Sequence, residues 1–177
     1  MRFNTLACDY DGTLTLDGTV DEPTLAALER YRAAGGTLLL VTGREMDELL
    51  RIFPHTDMFE RIIAENGGVL YCPQTRQSRG LADSPPAELV ASLRRNRVEP
   101  LAIGRVIMAT REPHQHAVLE AIHDLCLEYH IIFNKGAVMV LPSGVNKATG
   151  LKAALKELNL APKQIAGVGD AENDHAF

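Results

Sequence analysis

Four short apolar runs in this chain each stop at a polar residue set beside glycine. Residues 3–9 run into Asp9-Tyr10-Asp11-Gly12-Thr13, and residues 37–41 into Thr42-Gly43-Arg44. Residues 61–64 run into Glu65-Asn66-Gly67-Gly68, and residues 164–168 into Gly169-Asp170. Helical patterns lie between the runs. Asp21-Glu22-Pro23 supplies an N-cap and a first-turn proline, Leu25, Leu28 and Tyr31 share one face, and Gly35-Gly36 stop that helix. A second helix is expected from Glu45 to Phe53, with Met46, Leu49, Leu50 and Phe53 inward and Pro54 closing it. Strands alternating with helices need right-handed crossovers, which impose a parallel sheet. The carboxyl ends of such a sheet share one edge, and ligands bind there. The pattern therefore predicts an α/β, Rossmann-like fold and the edge at which its chemistry collects.

The rhythm changes after Gly68. Val69–Cys72 reads as a hairpin arm, residues 73–86 as turns, and Glu88–Arg97 as a helix. Ala102–Ala109 is a β-branched run, Pro113–Tyr129 a long helix, and 131–133 and 138–141 two strands joined through Asn134-Lys135-Gly136. Residues 79–141 are read as a small α+β domain inserted into a discontinuous core domain of residues 1–78 and 142–177. The first pattern then resumes. Asn146 or Ser143 caps a helix through Leu158 with Leu151, Leu155 and Leu158 inward, and Gln164–Val168 forms a further strand.

Carboxylates two positions apart at a strand end repel each other and contribute nothing to packing, so Asp9 and Asp11 call for a cation or a reaction. Asp9, Asp11 and Asp170 offer hard oxygen ligands of the kind Mg²⁺ takes together with a phosphate. Thr42 adds a hydroxyl at a third strand end. Lys147 stands at a helix start, where its charge and the helix N-terminus both favour an anion. Together these groups describe a phosphoryl-transfer site. A net charge of −5 without a basic stripe argues against a nucleic-acid partner. No apolar run approaches the ~20 residues of a membrane span, and no targeting segment precedes the first strand, so a cytoplasmic protein is expected. The three cysteines are odd in number and widely spaced, which suggests neither a disulfide framework nor a zinc site, and Cys8 reads as a small buried residue.

In this order, Asp9-Tyr10-Asp11-Gly12-Thr13, Val41-Thr42-Gly43-Arg44, Lys147 and Gly169-Asp170-Ala171-Glu172-Asn173-Asp174 resemble the four motifs of the haloacid dehalogenase-like (HAD) phosphohydrolase superfamily. The insertion and Glu65-Asn66-Gly67 resemble its Cof-like branch with a small C2-type cap. The resemblance implies an Mg²⁺-dependent phosphatase acting on a small phosphorylated metabolite, a sugar phosphate or a phosphoglycolate-like acid. It implies Asp9 as nucleophile, Asp11 as general acid and base, and Thr42 and Lys147 gripping the phosphoryl group. Mg²⁺ would be held by Asp9, the Asp11 carbonyl and Asp170, with Asp174 positioning from behind. Gly43, Arg44, Asn66 and Asn173 would lie near substrate or phosphate.

A phosphomutase would use the same aspartyl-phosphate, and a regulatory domain of a longer protein would retain the same site. Lys135, on the hairpin turn of the insertion, is a candidate for reading substrate. In the family another strand and helix usually follow the fourth motif. The core is thus expected to be cut short after Phe177, with a C-terminal domain or self-association through the exposed core edge, and a form carrying the next βα unit is expected to be the more stable.

Overall fold

A computed structural model of the chain describes residues 4–175. Along the chain run β1 (Thr5–Asp9), α1 (Glu22–Ala33), β2 (Thr37–Val41), α2 (Met46–Ile52), β3 (Arg61–Ala64), β4 (Val69–Cys72) and β5 (Gln77–Gly80). They are followed by α3 (Ala87–Arg95), β6 (Ala102–Ile103), β7 (Met108–Arg111), α4 (Gln115–Asp124), β8 (Tyr129–Asn134) and β9 (Ala137–Pro142). Helix α5 (Lys147–Glu157) and β10 (Ile165–Val168) complete the described elements apart from short 3-10 turns.

The expected parallel sheet is present, with strand order β10-β1-β2-β3-β4-β5. The first four strands are parallel, and β4 and β5 add an antiparallel hairpin. Alternation decides which helices cover which face. Leu38 and Leu40 join Leu25, Leu28, Met46 and Leu49 on one side, while Leu39 and Val41 join Leu151, Ala154 and Leu155 on the other. Both faces of β2 are therefore dry, which is why it reads as an unbroken apolar run. Each fully buried leucine contributes roughly 1.5–3 kcal/mol. Register places Asp9 opposite Val41 and Cys8 opposite both Leu40 and Val168, so the polar residues that follow each strand emerge at one level.

The insertion forms a second, antiparallel sheet of order β6-β7-β9-β8. One face packs on α3 and α4 through Leu89, Leu93, Met108, Val118 and Val140. From the other face Met139 and Leu141 join the core cluster. Among the described residues no helix is long and apolar enough to cross a membrane.

Several expectations need correction. Residues 77–80 form β5, which carries the first sheet two residues past the boundary at 78; Gln-Ser-Arg-Gly has no apolar alternation to announce a strand. The run 102–109 is two strands, because Gly104–Ile107 turn back on themselves with a bond from Gly104 N to Ile107 O of 2.9 Å. The helix expected to reach Tyr129 ends at Asp124, and Tyr129 opens β8. Leu50 is 39% exposed, since the seven-residue α2 spends its inward face on Met46 and Leu49. Strand β1 begins at Thr5, after Asn4, and the expected start at residue 3 lies outside the described residues.

Candidate active site

Strand β1 delivers Asp9 to the sheet edge almost wholly buried. Lys147, the first residue of α5 and equally buried, meets it there: its Nζ lies 2.5 Å from Asp9 Oδ1 and 2.5 Å from Asp174 Oδ1. The local sequence puts the lysine in place. The Asn146 side chain caps α5 by accepting from Thr149 N at 3.0 Å, and the Thr149 hydroxyl accepts from Asn146 N at 3.0 Å. Two glycines then let α5 approach the end of β3. A Cβ on Gly150 would lie 2.6 Å from Gly67 Cα, and one on Gly67, where φ is +103°, would collide with the Asn146 carbonyl. Burial pushes the Asp9 carboxyl up from its ordinary range, the Lys147 ammonium pulls it back, and the Asp174 charge adds to the rise.

Asp174 has both oxygens engaged. One holds Lys147, and the other accepts from Asp170 N at 3.1 Å and Ala171 N at 2.9 Å. It therefore braces both the lysine and the loop that presents Asp170. Carboxylate oxygens of Asp9, Asp170 and Asp174 lie within 4.8 Å of one another. Lys135 Nζ is 2.9 Å from Asp170 Oδ2 and 3.4 Å from the Asp11 main-chain oxygen. These two oxygens thus already accommodate a positive charge, and hard oxygen donors at this spacing fit a divalent cation such as Mg²⁺.

Asp11 is gripped side-on by Arg44, with Nε–Oδ2 at 2.8 Å and Nη2–Oδ1 at 2.7 Å, while Arg44 Nη1 reaches Glu48 at 2.7 Å. Arg44 lines the cleft, but its guanidinium is engaged with carboxylates of the protein. Thr42 is fully buried; its hydroxyl accepts from Arg44 N at 3.1 Å and keeps its own proton to donate. Asn66 is also fully buried and lies behind the cleft rather than on its lining. It accepts from Asn173 Nδ2 at 3.2 Å, while Asn66 Nδ2 and Asn173 Oδ1 have no hydrogen-bond partner among the described residues.

A cleft of about 380 Å³ opens between the two sheets. Asp9, Asp11, Gly43, Arg44 and Lys147 line it from the first sheet, and Ile107, Ala109, Lys135 and Met139 from the insertion. Of the residues singled out from sequence, Thr42, Asn66, Asp170, Asn173 and Asp174 stand around this cleft without lining it.

Lys135 was a candidate from sequence for reading substrate and Glu65 had no role assigned; the contacts of both depend on tertiary structure. Lys135 crosses from the insertion onto Asp170. Glu65, buried at the end of β3, sends its carboxylate into the insertion.

Residues 6–123 and 95–177 match the sequence profile of a family described as haloacid dehalogenase-like hydrolase. The chain is 29% identical over 177 residues to a phosphoglycolate phosphatase of Haloarcula marismortui, covering 96% of this chain and 77% of that protein. A phosphoglycolate phosphatase of Methanothermobacter thermautotrophicus is 27% identical over 186 residues, at 97% and 79% coverage. Among solved structures, a HAD/Cof-like hydrolase from Plasmodium vivax superposes with a TM-score of 0.79 at 19% identity, covering 99% of this chain and 81% of that one. That superposition includes both sheets and shows the shared fold.

Proposed function

The chain belongs to the haloacid dehalogenase-like hydrolase family, and from that premise we propose that it is a Cof-like, Mg²⁺-dependent phosphatase of a small phosphorylated metabolite, working through an aspartyl-phosphate on Asp9 with the insertion as its cap.

The observation that carries this reading is the buried Asp9–Lys147–Asp174 chain at the sheet edge. Two carboxylates and one ammonium out of water are costly, and apolar residues of the same volume would pack as well or better. Such an arrangement persists where chemistry requires it. Lys147 offsets the charge of Asp9, so an incoming phosphate dianion meets less repulsion. An Asp9 oxygen attacks phosphorus in line, and the bond from phosphorus to the leaving oxygen breaks. Once its carboxylate is released from the Arg44 clamp and has taken up a proton from solvent, Asp11 gives that proton to the leaving oxygen. It then takes a proton from the water whose oxygen attacks the phosphoryl group, releasing phosphate and regenerating the Asp9 carboxylate. The free proton of the Thr42 hydroxyl and the Lys147 ammonium donate to the phosphoryl oxygens. Asp9, Asp170 and the Asp11 carbonyl would hold Mg²⁺, which when bound supplies neutralisation of the phosphoryl charge. Asp174 positions Lys147 and the Asp170 loop rather than joining them as a ligand.

The small cleft, walled on its cap side by Ile107, Ala109 and Met139 with Lys135 as its cation, suits a compact anionic substrate. The names of the two archaeal relatives make 2-phosphoglycolate the first candidate. Phosphate release should be measured from a panel of phosphomonoesters that includes 2-phosphoglycolate and p-nitrophenyl phosphate, with Mg²⁺ and with EDTA. The expected result is hydrolysis that needs Mg²⁺ and disappears in Asp9→Asn. Hydrolysis persisting in Asp9→Asn would refute the assignment of the nucleophile.

A further inference from the structure

Glu65 is the first of three consecutive residues with left-handed backbone, at φ 51°, 53° and 103° for Glu65, Asn66 and Gly67. Two of these residues are not glycine, so the surrounding contacts must hold the conformation. Those contacts run to the site. Glu65 N donates to Arg44 O at 2.9 Å, and Asn66 N donates to Thr42 O at 2.9 Å. The main chain at the end of β3 is thereby fastened to the loop that carries Thr42, Gly43 and Arg44.

The Glu65 side chain goes the other way. It is 1% exposed, and its carboxylate accepts three successive main-chain N–H groups of the cap: Arg105 at 3.1 Å on Oε1, and Val106 at 2.8 Å and Ile107 at 3.1 Å on Oε2. Successive amides curled around one anion form a nest, and here the anion comes from the core. Gly104 fits the same contact, because a Cβ there would lie 2.7 Å from Glu65 Oε2. Ile107, the last residue of the nest, lines the cleft.

We propose that Glu65 is a positioning residue that latches the cap's β6–β7 turn onto the core and so sets the distance between the cleft wall at Ile107 and the Thr42–Arg44 loop. It touches neither substrate nor reacting atoms. A cleft wall held at the right distance strengthens substrate binding, while the chemistry at Asp9 proceeds without it. The kinetic arm rests on the phosphatase reading; the exchange arm below does not.

The test is hydrogen exchange on the whole chain, read beside steady-state kinetics with 2-phosphoglycolate. Glu65→Ala removes all three acceptors. It should speed exchange at Arg105, Val106 and Ile107 by about tenfold or more, the scale of losing bonds to a charged acceptor, and leave β1 and β2 within about threefold of wild type. Glu65→Gln keeps one oxygen for Val106 and Ile107 but turns an NH₂ toward Arg105, so only Arg105 should be affected. KM should rise about tenfold in Glu65→Ala with kcat within about threefold. If Glu65→Ala does not fold, Gly104→Ala carries the test from the cap side and should give the same local exchange. Unchanged exchange at 105–107 in the folded variant would overturn the latch. Equal acceleration in β1 and β2 would reduce Glu65 to a general stabiliser and also overturn it. Faster local exchange with KM unmoved would overturn the role in binding. A wild-type protein without hydrolase activity would sink the phosphatase reading and leave the exchange data to decide the latch.

Discussion

Lys147 holds two buried carboxylates at 2.5 Å each, and most of the site's electrostatics follow from it. Lys147→Met keeps the volume and removes the charge, leaving Asp9 and Asp174 buried against each other. Breaking such a group costs ~3–5 kcal/mol, so urea denaturation should show a loss of that size, with no detectable hydrolysis. Cys8 lies next to Asp9 but is not part of this chemistry: burial, with the Asp9 charge behind it, pushes its thiol up to about 12. Alkylation of the native protein at pH 8 should therefore spare Cys8 and label the exposed Cys126. Asp9, Asp11, Asp170 and Lys147 were legible in the sequence because each belongs to a short motif at a strand end or helix start. The partners of Arg44, Asn66 and Glu65 were not, because they depend on which loops meet across the fold. Arg44, placed near substrate by the resemblance alone, lines the cleft and clamps Asp11.

At the scale of elements, the helix starts and buried strands were read correctly where local chemistry dominates. Asp21 caps as expected, and of the two candidates Asn146 and Ser143 it is Asn146 that caps, each cap accepting from the backbone N–H three residues on. Asn146→Ala should cost about 1 kcal/mol by chemical denaturation, the usual price of a lost cap. Gly67→Ala should cost considerably more, because the new methyl meets the Asn146 carbonyl at a backbone angle only glycine adopts freely. The elements misread were those whose signal is tertiary. Strand β5 is polar and pairs only because β4 lies beside it. The run 102–109 breaks at a turn closed by Gly104 and Ile107, and N–H groups of that turn meet the Glu65 carboxylate across the fold. In β8, His130 is the clearest pH-sensitive group of the cap sheet: burial lowers its pKa from 6.5, and a bond to the Pro142 backbone offsets part of that. The unfolded chain then binds the proton more readily than the folded one. The stabilisation is complete above pH 6.5 and is lost as pH falls through the lowered value. Thermal denaturation between pH 7 and 5 should show a smaller decline in His130→Gln than in wild type.

For the whole molecule, the sequence carried the division into a parallel sheet and an inserted α+β unit, since hydrophobic period and glycine placement are local properties. How the two meet was not legible. The cleft between them is made by Ile107, Ala109 and Met139, ordinary strand residues whose place beside Asp9 emerges only when the cap sheet closes over β1. These scales meet in one proposal: the phosphoryl group passes through Asp9. The most direct measurement uses Asp11→Asn, which lacks the base needed to release phosphate from the enzyme. With p-nitrophenyl phosphate the leaving group needs no proton, so attack by Asp9 continues while hydrolysis of the intermediate slows. Rapid acid quench followed by peptide mass spectrometry should find one phosphoryl group on the peptide that contains Asp9. Release of p-nitrophenol with no phosphorylated Asp9 at any quench time would contradict the account.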